Sequence, residues 1–184
     1  LFWYSLDEAD ADQQRFLSYL IATFEHRLPQ LSDAPAVLLQ EFSGAGGGAW
    51  THVIDALVNA LSAALTAPAL LVIDDYQFIA DTQEINALVE RFLTYLPPDL
   101  HVILTGRHVL NTPQLITWRA KGEVLEINRA ELAFRADEIA ALFRDTYAMQ
   151  LSPDDIVVLA DKTEGWPIAL HLVWQSLRGN TAES

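Results

Sequence analysis

Leu70-Leu71-Val72-Ile73-Asp74-Asp75 is the stretch on which the reading of the fold turns. The unbroken apolar run from Ala69 to Ile73 is the pattern of a strand covered on both faces, as in a parallel sheet flanked by helices. Two acids end it. They stand at the carboxyl end of the strand, the edge where α/β proteins bind their ligands. Upstream, Val53, Ile54, Leu57, Val58, Leu61 and Leu65 recur at helical spacing, predicting a helix over 52–66 with Thr51 as its cap. Downstream, Asp81 with Glu84 three residues on predicts a capping-box start. That helix carries Ile85, Leu88, Val89, Phe92 and Leu96 up to Pro97-Pro98. His101 to Thr105 reads as a second buried strand, a helical turn falls around 113–120, and Val124 to Ile127 reads as a third short strand.

The first residues, Leu1 to Leu6, read as an aromatic-rich strand with Phe2 to Tyr4 in the core. Residues 12–28 read as a helix with Phe16, Leu17, Leu20, Ile21, Phe24 and Leu28 on one face. Residues 34–41 fit a short helix or a strand, and the glycine-rich segment 44–48 reads as a linker. Past residue 130 the pattern changes to three successive helices, at 136–148, 153–161 and 166–178. Ser152-Pro153-Asp154-Asp155 supplies an N-cap, a proline at N1 and first-turn acids. The expected organisation is an α/β core over 1–130 and a small helical lid unit over 131–184. Strand–helix alternation implies a parallel sheet with crossover helices.

Composition limits the function. The chain has 184 residues, no cysteine, and a net charge of −14. Thiol catalysis, disulfides and cysteine-held metals are excluded. Residues 1–90 hold 13 acids against Arg15 and Arg27, a balance of −11. A surface of that sign does not bind nucleic acid through phosphate contacts. Apolar runs fall far short of the roughly 20 residues a membrane span needs, and the early acids argue against a signal peptide. A cytoplasmic location is expected. The five histidines show no metal-ligand spacing.

Three constellations carry chemistry. Asp74-Asp75 after an apolar strand is the Walker B pattern: one carboxylate can hold Mg²⁺ through water, and the other can polarise a water for attack on a phosphate. The bland reading is a solvated strand end. Thr105-Gly106-Arg107 ends the next strand, which would set Arg107 beside the acids to contact a terminal phosphate; an ordinary salt bridge is the alternative. Thr163 to Leu170 places Gly165 and Pro167 at a helix start, which is plain capping on its own. A phosphoacceptor receiver domain also carries paired acids, but its later strands end in Asp and Lys. Here they end in Thr105-Gly106-Arg107 and Ile127-Asn128-Arg129.

Order and spacing together resemble the nucleotide-binding domain of STAND-type P-loop NTPases, in particular the MalT-like, LuxR-family ATP-dependent transcriptional activators. The resemblance is carried by Trp3 to Asp10, Arg15 to Ile21, Leu70 to Tyr76, Leu96 to His101, Thr105-Gly106-Arg107, Leu132 to Phe134 and Thr163 to Pro167. It covers nearly the whole chain and is weakest over 30–50. It implies a parallel sheet of the P-loop NTPase (ASCE/STAND) type. It also implies Asp74 as the Mg²⁺-associated acid, Asp75 as the second, catalytic Walker B acid, and Arg107 as the sensor arginine. Gly165 and Pro167 would be the Gly-x-Pro element that touches the nucleotide.

One departure is decisive. No Gly-x-x-x-x-Gly-Lys-Ser/Thr occurs, and the chain's two lysines, Lys121 and Lys162, stand in no such context. A smaller one is Arg135, where a Ser or Thr cap is usual in the family. The chain also starts at Leu1, and the expectation is a fragment of a longer parent. ATP or ADP with Mg²⁺ would bind in that parent, with none expected on this chain, which alone is expected to be inactive as an ATPase. Its partners would be an upstream P-loop, downstream sensor and helix-turn-helix regions, and a second copy through self-association, but neither nucleic acid nor membrane directly. The resemblance places the P-loop strand between the strands read at 101–105 and 124–127. Without it, a shifted 124–127 strand or self-association is expected to cover the gap. The competing reading is a nucleotide-free α/β interaction module with a vestigial Walker B.

Overall fold

The structure is a computed structural model; it describes residues 1–43, 49–107, 110 and 112–181, the last three as backbone. The linker read at 44–48 lies outside the described residues. The chain divides into two compact units, Leu1–Val124 and Leu125–Ser184, whereas the boundary read from the sequence falls at 130.

The first unit opens with β1 (Phe2–Ser5). A 3₁₀ turn, Glu8–Ala11, follows and is closed by its own carboxylates. Asp7 accepts from the Ala9 N–H at 2.8 Å, and the buried Asp10 accepts from the Asp7 N–H at 2.8 Å. Arg15 donates to Asp10 at 3.1 Å, so this almost fully buried carboxylate is both paired and hydrogen-bonded. Asp12 caps α1 (Gln13–Glu25) by accepting from the Arg15 N–H.

Residues 34–41, open between helix and strand in the sequence, form α2 (Ala34–Glu41) with Pro35 in its first turn. Next come α3 (Trp50–Ala64), β2 (Ala69–Asp74), α4 (Gln83–Thr94), β3 (Leu100–Leu104) and α5 (Gln114–Lys121). Two cap assignments need correction. Thr51 lies inside α3, which begins at Trp50. Asp81 precedes the N-cap of α4, which is Thr82, and makes no capping box with Glu84.

The three strands are parallel, in the order β1-β2-β3. Both crossovers step the same way across the sheet, so right-handed connections place their helices on one face. The packing agrees: α1 contacts β1, α3 and α4, and α3 contacts α4. Arg91 of α4 clamps Asp55 of α3 through two bonds of 2.6 and 2.7 Å. The core lies between these helices and Phe2, Tyr4, Leu71, Ile73 and Leu100 of the sheet. Phe24 of α1 stands 4.8 Å from the Phe2 ring and 6.5 Å from the Phe92 ring, joining β1, α1 and α4.

The other face differs from the sequence reading. Trp3, Val72 and Ile103 are in lateral register. Val72 is buried, but Trp3 is 55% exposed and Ile103 is 45% exposed. Central β2 is therefore buried as expected. Trp3 is not core and β3 is only half-covered, because the crossover helices α1, α3 and α4 pack together on the opposite face. Residues 124–127 form no strand, and Leu125 and Ile127 stand exposed. β3 pairs only with β2 among the described residues. The shifted-strand expectation is therefore not met: a four-residue strand needs a neighbouring backbone to satisfy its N–H and C=O groups, and 124–127 has none.

The second unit is helical: α6 (Arg129–Leu132), α7 (Ala136–Ala141), α8 (Pro153–Thr163) and α9 (Pro167–Thr181). The helix read at 136–148 is α7 followed by a π-helical turn, Leu142–Thr146. The Arg135 side chain does not cap its start; the Glu138 carboxylate accepts from the Arg135 N–H at 2.9 Å instead. Ser152 caps α8 as read, accepting from the Asp155 N–H at 3.1 Å. The last helix runs past Gly179 to Thr181 rather than ending at 178. The unit's own core is Ile139, Phe143 and Leu170 with Tyr147 and Trp174 around them. The Tyr147 and Trp174 rings stack at 4.4 Å. No described helix in either unit is long and apolar enough to cross a membrane.

Burial pushes the hydroxyls of Tyr4 and Tyr76 well above the usual tyrosine range, and the charge of Asp10 adds to the effect at Tyr4. Both phenols thus ionise later in the folded chain than in the unfolded one. Their contribution to stability is complete below about pH 10 and is lost as pH rises above it. The urea midpoint should fall from pH 9 to pH 11, and less steeply in Tyr76→Phe; a flat midpoint in the unmutated chain contradicts this. Phe24→Ala should cost about 3–5 kcal/mol by the same measurement, and Trp3→Ser less than half of that. Equal costs would show that the Trp3 face is covered. Gly165 has φ +71°, and a Cβ there would stand 2.4 Å from the Phe134 carbonyl oxygen. Gly165→Ala should cost at least about 1–2 kcal/mol from its backbone alone, read as faster amide exchange in α8 and α9. Unchanged exchange would refute that role.

Candidate functional site

The site is built where β2 and β3 end. Ile73 pairs with Leu104, and the pairing continues past both strands. The Thr105 N–H donates to the Ile73 carbonyl at 3.0 Å, and the Tyr76 N–H donates to the Thr105 carbonyl at 2.9 Å. The Thr105 hydroxyl donates to Asp74 Oδ1. The Asp75 N–H lies 3.1 Å from the same oxygen. Asp74 is thus held in place, half-buried, while the next residue turns outward.

That turn is made by Asp75 itself, in the left-handed region at φ 62°. Aspartate tolerates this conformation better than most residues. The 3₁₀ turn Tyr76–Phe78 follows at once. Tyr76 anchors it from below: its ring is buried, and its hydroxyl donates to Asn86 Oδ1 of α4 at 2.6 Å. Asn86 in turn donates to the Ala80 carbonyl at 2.6 Å. Asp75 is left exposed beside Asp74 on a rigid base.

Arg107 lies two residues beyond Thr105, with its side chain in solvent. The structure therefore brings Asp74, Asp75, Thr105 and Arg107 to one corner of the first unit. Gln77 joins them. Its side chain donates to Asp75 Oδ1 at 2.8 Å and accepts from the Arg107 N–H at 3.3 Å. Gly106 permits the approach: a Cβ there would lie 3.3 Å from Tyr76 Cβ and 3.4 Å from Gln77 Oε1. Sequence reading missed Gln77 and Tyr76; the only signal was their position directly after the acid pair.

Gly165 and Pro167 belong to the second unit and are described there alone. The Gly165 carbonyl accepts from the Phe134 N–H at 2.8 Å, and its own N–H donates to Thr163 Oγ1 at 3.3 Å. Pro167 starts α9. These contacts give the Gly-x-Pro element a packing role: it fastens the segment before α7 to the α8–α9 junction. Arg129 lies over the Trp166 ring at 5.4 Å and pairs with Glu164.

The donor set has a clear chemical preference. Two carboxylates and a hydroxyl are hard oxygen groups, suited to magnesium that keeps most of its waters. No cluster of three or more metal-ligating side chains occurs among the described residues. Two side-chain carboxylates would leave the remaining positions of such an ion to water or to a ligand. The residues that would cradle the phosphates are a different matter: no glycine-rich turn with a lysine follows any strand of this chain.

No protein-family model matches the chain. Individual relatives do. It is 31% identical over 187 residues to the HTH-type transcriptional regulator MalT of Klebsiella pneumoniae, with 99% of this chain aligned. It is 33% identical to MalT of Cronobacter sakazakii over 97% of its length, and 32% identical to MalT of Yersinia pestis over 96%. It spans about one fifth of the length of each: 20%, 19% and 19%. Across almost its entire length, then, this chain is similar to one segment of the MalT-type, LuxR-family transcriptional regulators and is MalT-like.

Proposed function

We propose that this chain is the Walker B and sensor part of a nucleotide switch in a cytoplasmic, signal-responsive transcriptional regulator. The sheet is read as the P-loop NTPase type, and the helical unit as its lid. Nucleotide state would be coupled to oligomerisation, and through it to DNA binding elsewhere in a longer protein. The reading rests on one juxtaposition: adjacent parallel strands bring Asp74-Asp75 and Thr105-Gly106-Arg107 to one sheet edge. Similarity to MalT over nearly the whole chain supports it.

In this reading Asp74 holds hydrated Mg²⁺, Asp75 polarises the attacking water, and Arg107 contacts the terminal phosphate. Gly165 and Pro167 take the nucleotide-contact role that the resemblance implies for a Gly-x-Pro element. Most phosphate contacts in such a site come from P-loop amides and a lysine. A segment outside this sequence must supply them. The competing module reading keeps the same fold but assigns the acid pair no ligand.

Calorimetric titration with Mg-ATP separates the two. This chain alone should show no sub-millimolar binding; such binding, lost in Asp74→Ala, would overturn the division of labour proposed here. A longer protein containing this segment should bind ATP. There Asp75→Asn should slow hydrolysis more than it weakens binding, and Arg107→Ala should reduce discrimination between ATP and ADP. Equal ATP and ADP affinity in the unmutated protein would remove Arg107 from its role. No nucleotide binding at all would favour the module.

A further inference from the structure

We propose that Gln77 is a positioning residue that ties the second acid to the segment carrying the arginine, so that Asp75 and Arg107 are set as one unit. The inference rests on the nucleotide-switch reading and adds a part that reading does not contain.

Gln77 sits in the 3₁₀ turn after the acid pair, half-buried. Its carboxamide carries a donor and an acceptor on one planar head, and the site uses both. The nitrogen meets the Asp75 carboxylate at 2.8 Å; the oxygen meets the Arg107 N–H at 3.3 Å. The opposite orientation would set two oxygens together and two N–H groups together, so the neighbours dictate the one observed. Glutamate would keep the acceptor for Arg107 but oppose a second negative charge to Asp75. Alanine would remove both bonds.

The rest of the turn gives this link its leverage. Tyr76 is fixed by burial, by Asn86 and by the Thr105 carbonyl. Among the described residues, the Asp75 side chain and the Arg107 N–H, both exposed, hydrogen-bond to the Gln77 head alone. The Gln77 head spans the two. A ligand group that draws Arg107 would therefore shift the acceptor that Arg107 uses. Through the same side chain it would reorient the carboxylate that faces the attacking water. Discrimination of the terminal phosphate and placement of the acid become one event.

Two measurements test this. In this chain, NMR amide exchange at Arg107 should quicken about three- to tenfold in Gln77→Ala, the size expected for loss of one hydrogen bond, and stay near the unmutated rate in Gln77→Glu. In the longer protein, both variants should shrink the ratio of ADP to ATP dissociation constants. Unchanged Arg107 exchange in Gln77→Ala overturns the link itself. Quickened exchange with an unmoved ratio, where the unmutated protein discriminates clearly, reduces Gln77 to a structural contact and overturns the positioning role. If the unmutated protein does not discriminate, the nucleotide-switch reading of Arg107 fails, and the coupling proposed for Gln77 fails with it; the exchange experiment then reports only on the link.

Discussion

The hydrogen bonding between β2 and β3 continues past both strands, to Thr105 on one side and Tyr76 on the other, and the site depends on that extension. Thr105 spends its N–H, its carbonyl and its hydroxyl on Ile73, Tyr76 and Asp74 in turn. One residue thereby fixes where β2 stops, how the chain leaves it, and which way the first carboxylate points. A parallel register makes this available, because it brings both carboxyl ends to the same edge. The left-handed turn at Asp75 and the buried Tyr76 complete the corner.

The sheet behind it is asymmetric. All helices of the crossovers lie on one face, where Phe24, Phe2 and Phe92 tie sheet to helices. Trp3 and Ile103 stand out on the other. An apolar side chain at a strand position tells that the residue suits a pleated surface. It does not tell whether anything covers that surface. This is why Phe2 and Tyr4 were legible as core and Trp3, between them, was misread. The same limit applies to Val124 to Ile127: β-forming residues without a partner edge stay irregular.

Most of the rest was legible for identifiable reasons. The unbroken apolar run of β2, bounded by Pro68 and the acid pair, is too short for a helix and has the length of a strand covered on both faces. Ser152-Pro153-Asp154-Asp155 carries three start signals at once, and α8 begins there. Residues 34–41 could not be settled because an eight-residue segment holds too few turns for period to separate helix from strand. The π-helical turn at Leu142–Thr146 is invisible to a 3.6-residue pattern. Of the site, Asp74, Asp75 and Arg107 were named from type and position. Gln77 was not, because a glutamine has no meaning until its two neighbours are known in space.

The central claim is that this corner handles a magnesium-bound nucleoside triphosphate once a phosphate cradle is present. The most direct measurement is a crystal structure of a longer protein containing this segment, grown with magnesium and a non-hydrolysable ATP analogue. The account predicts the ion's water shell against Asp74, the terminal phosphate within reach of Arg107, and the Gln77 bridge to Asp75 intact or shifted with Arg107. Nucleotide bound away from this corner, with Asp74 still bonded to the Thr105 hydroxyl and the Asp75 N–H as it is here, would contradict it.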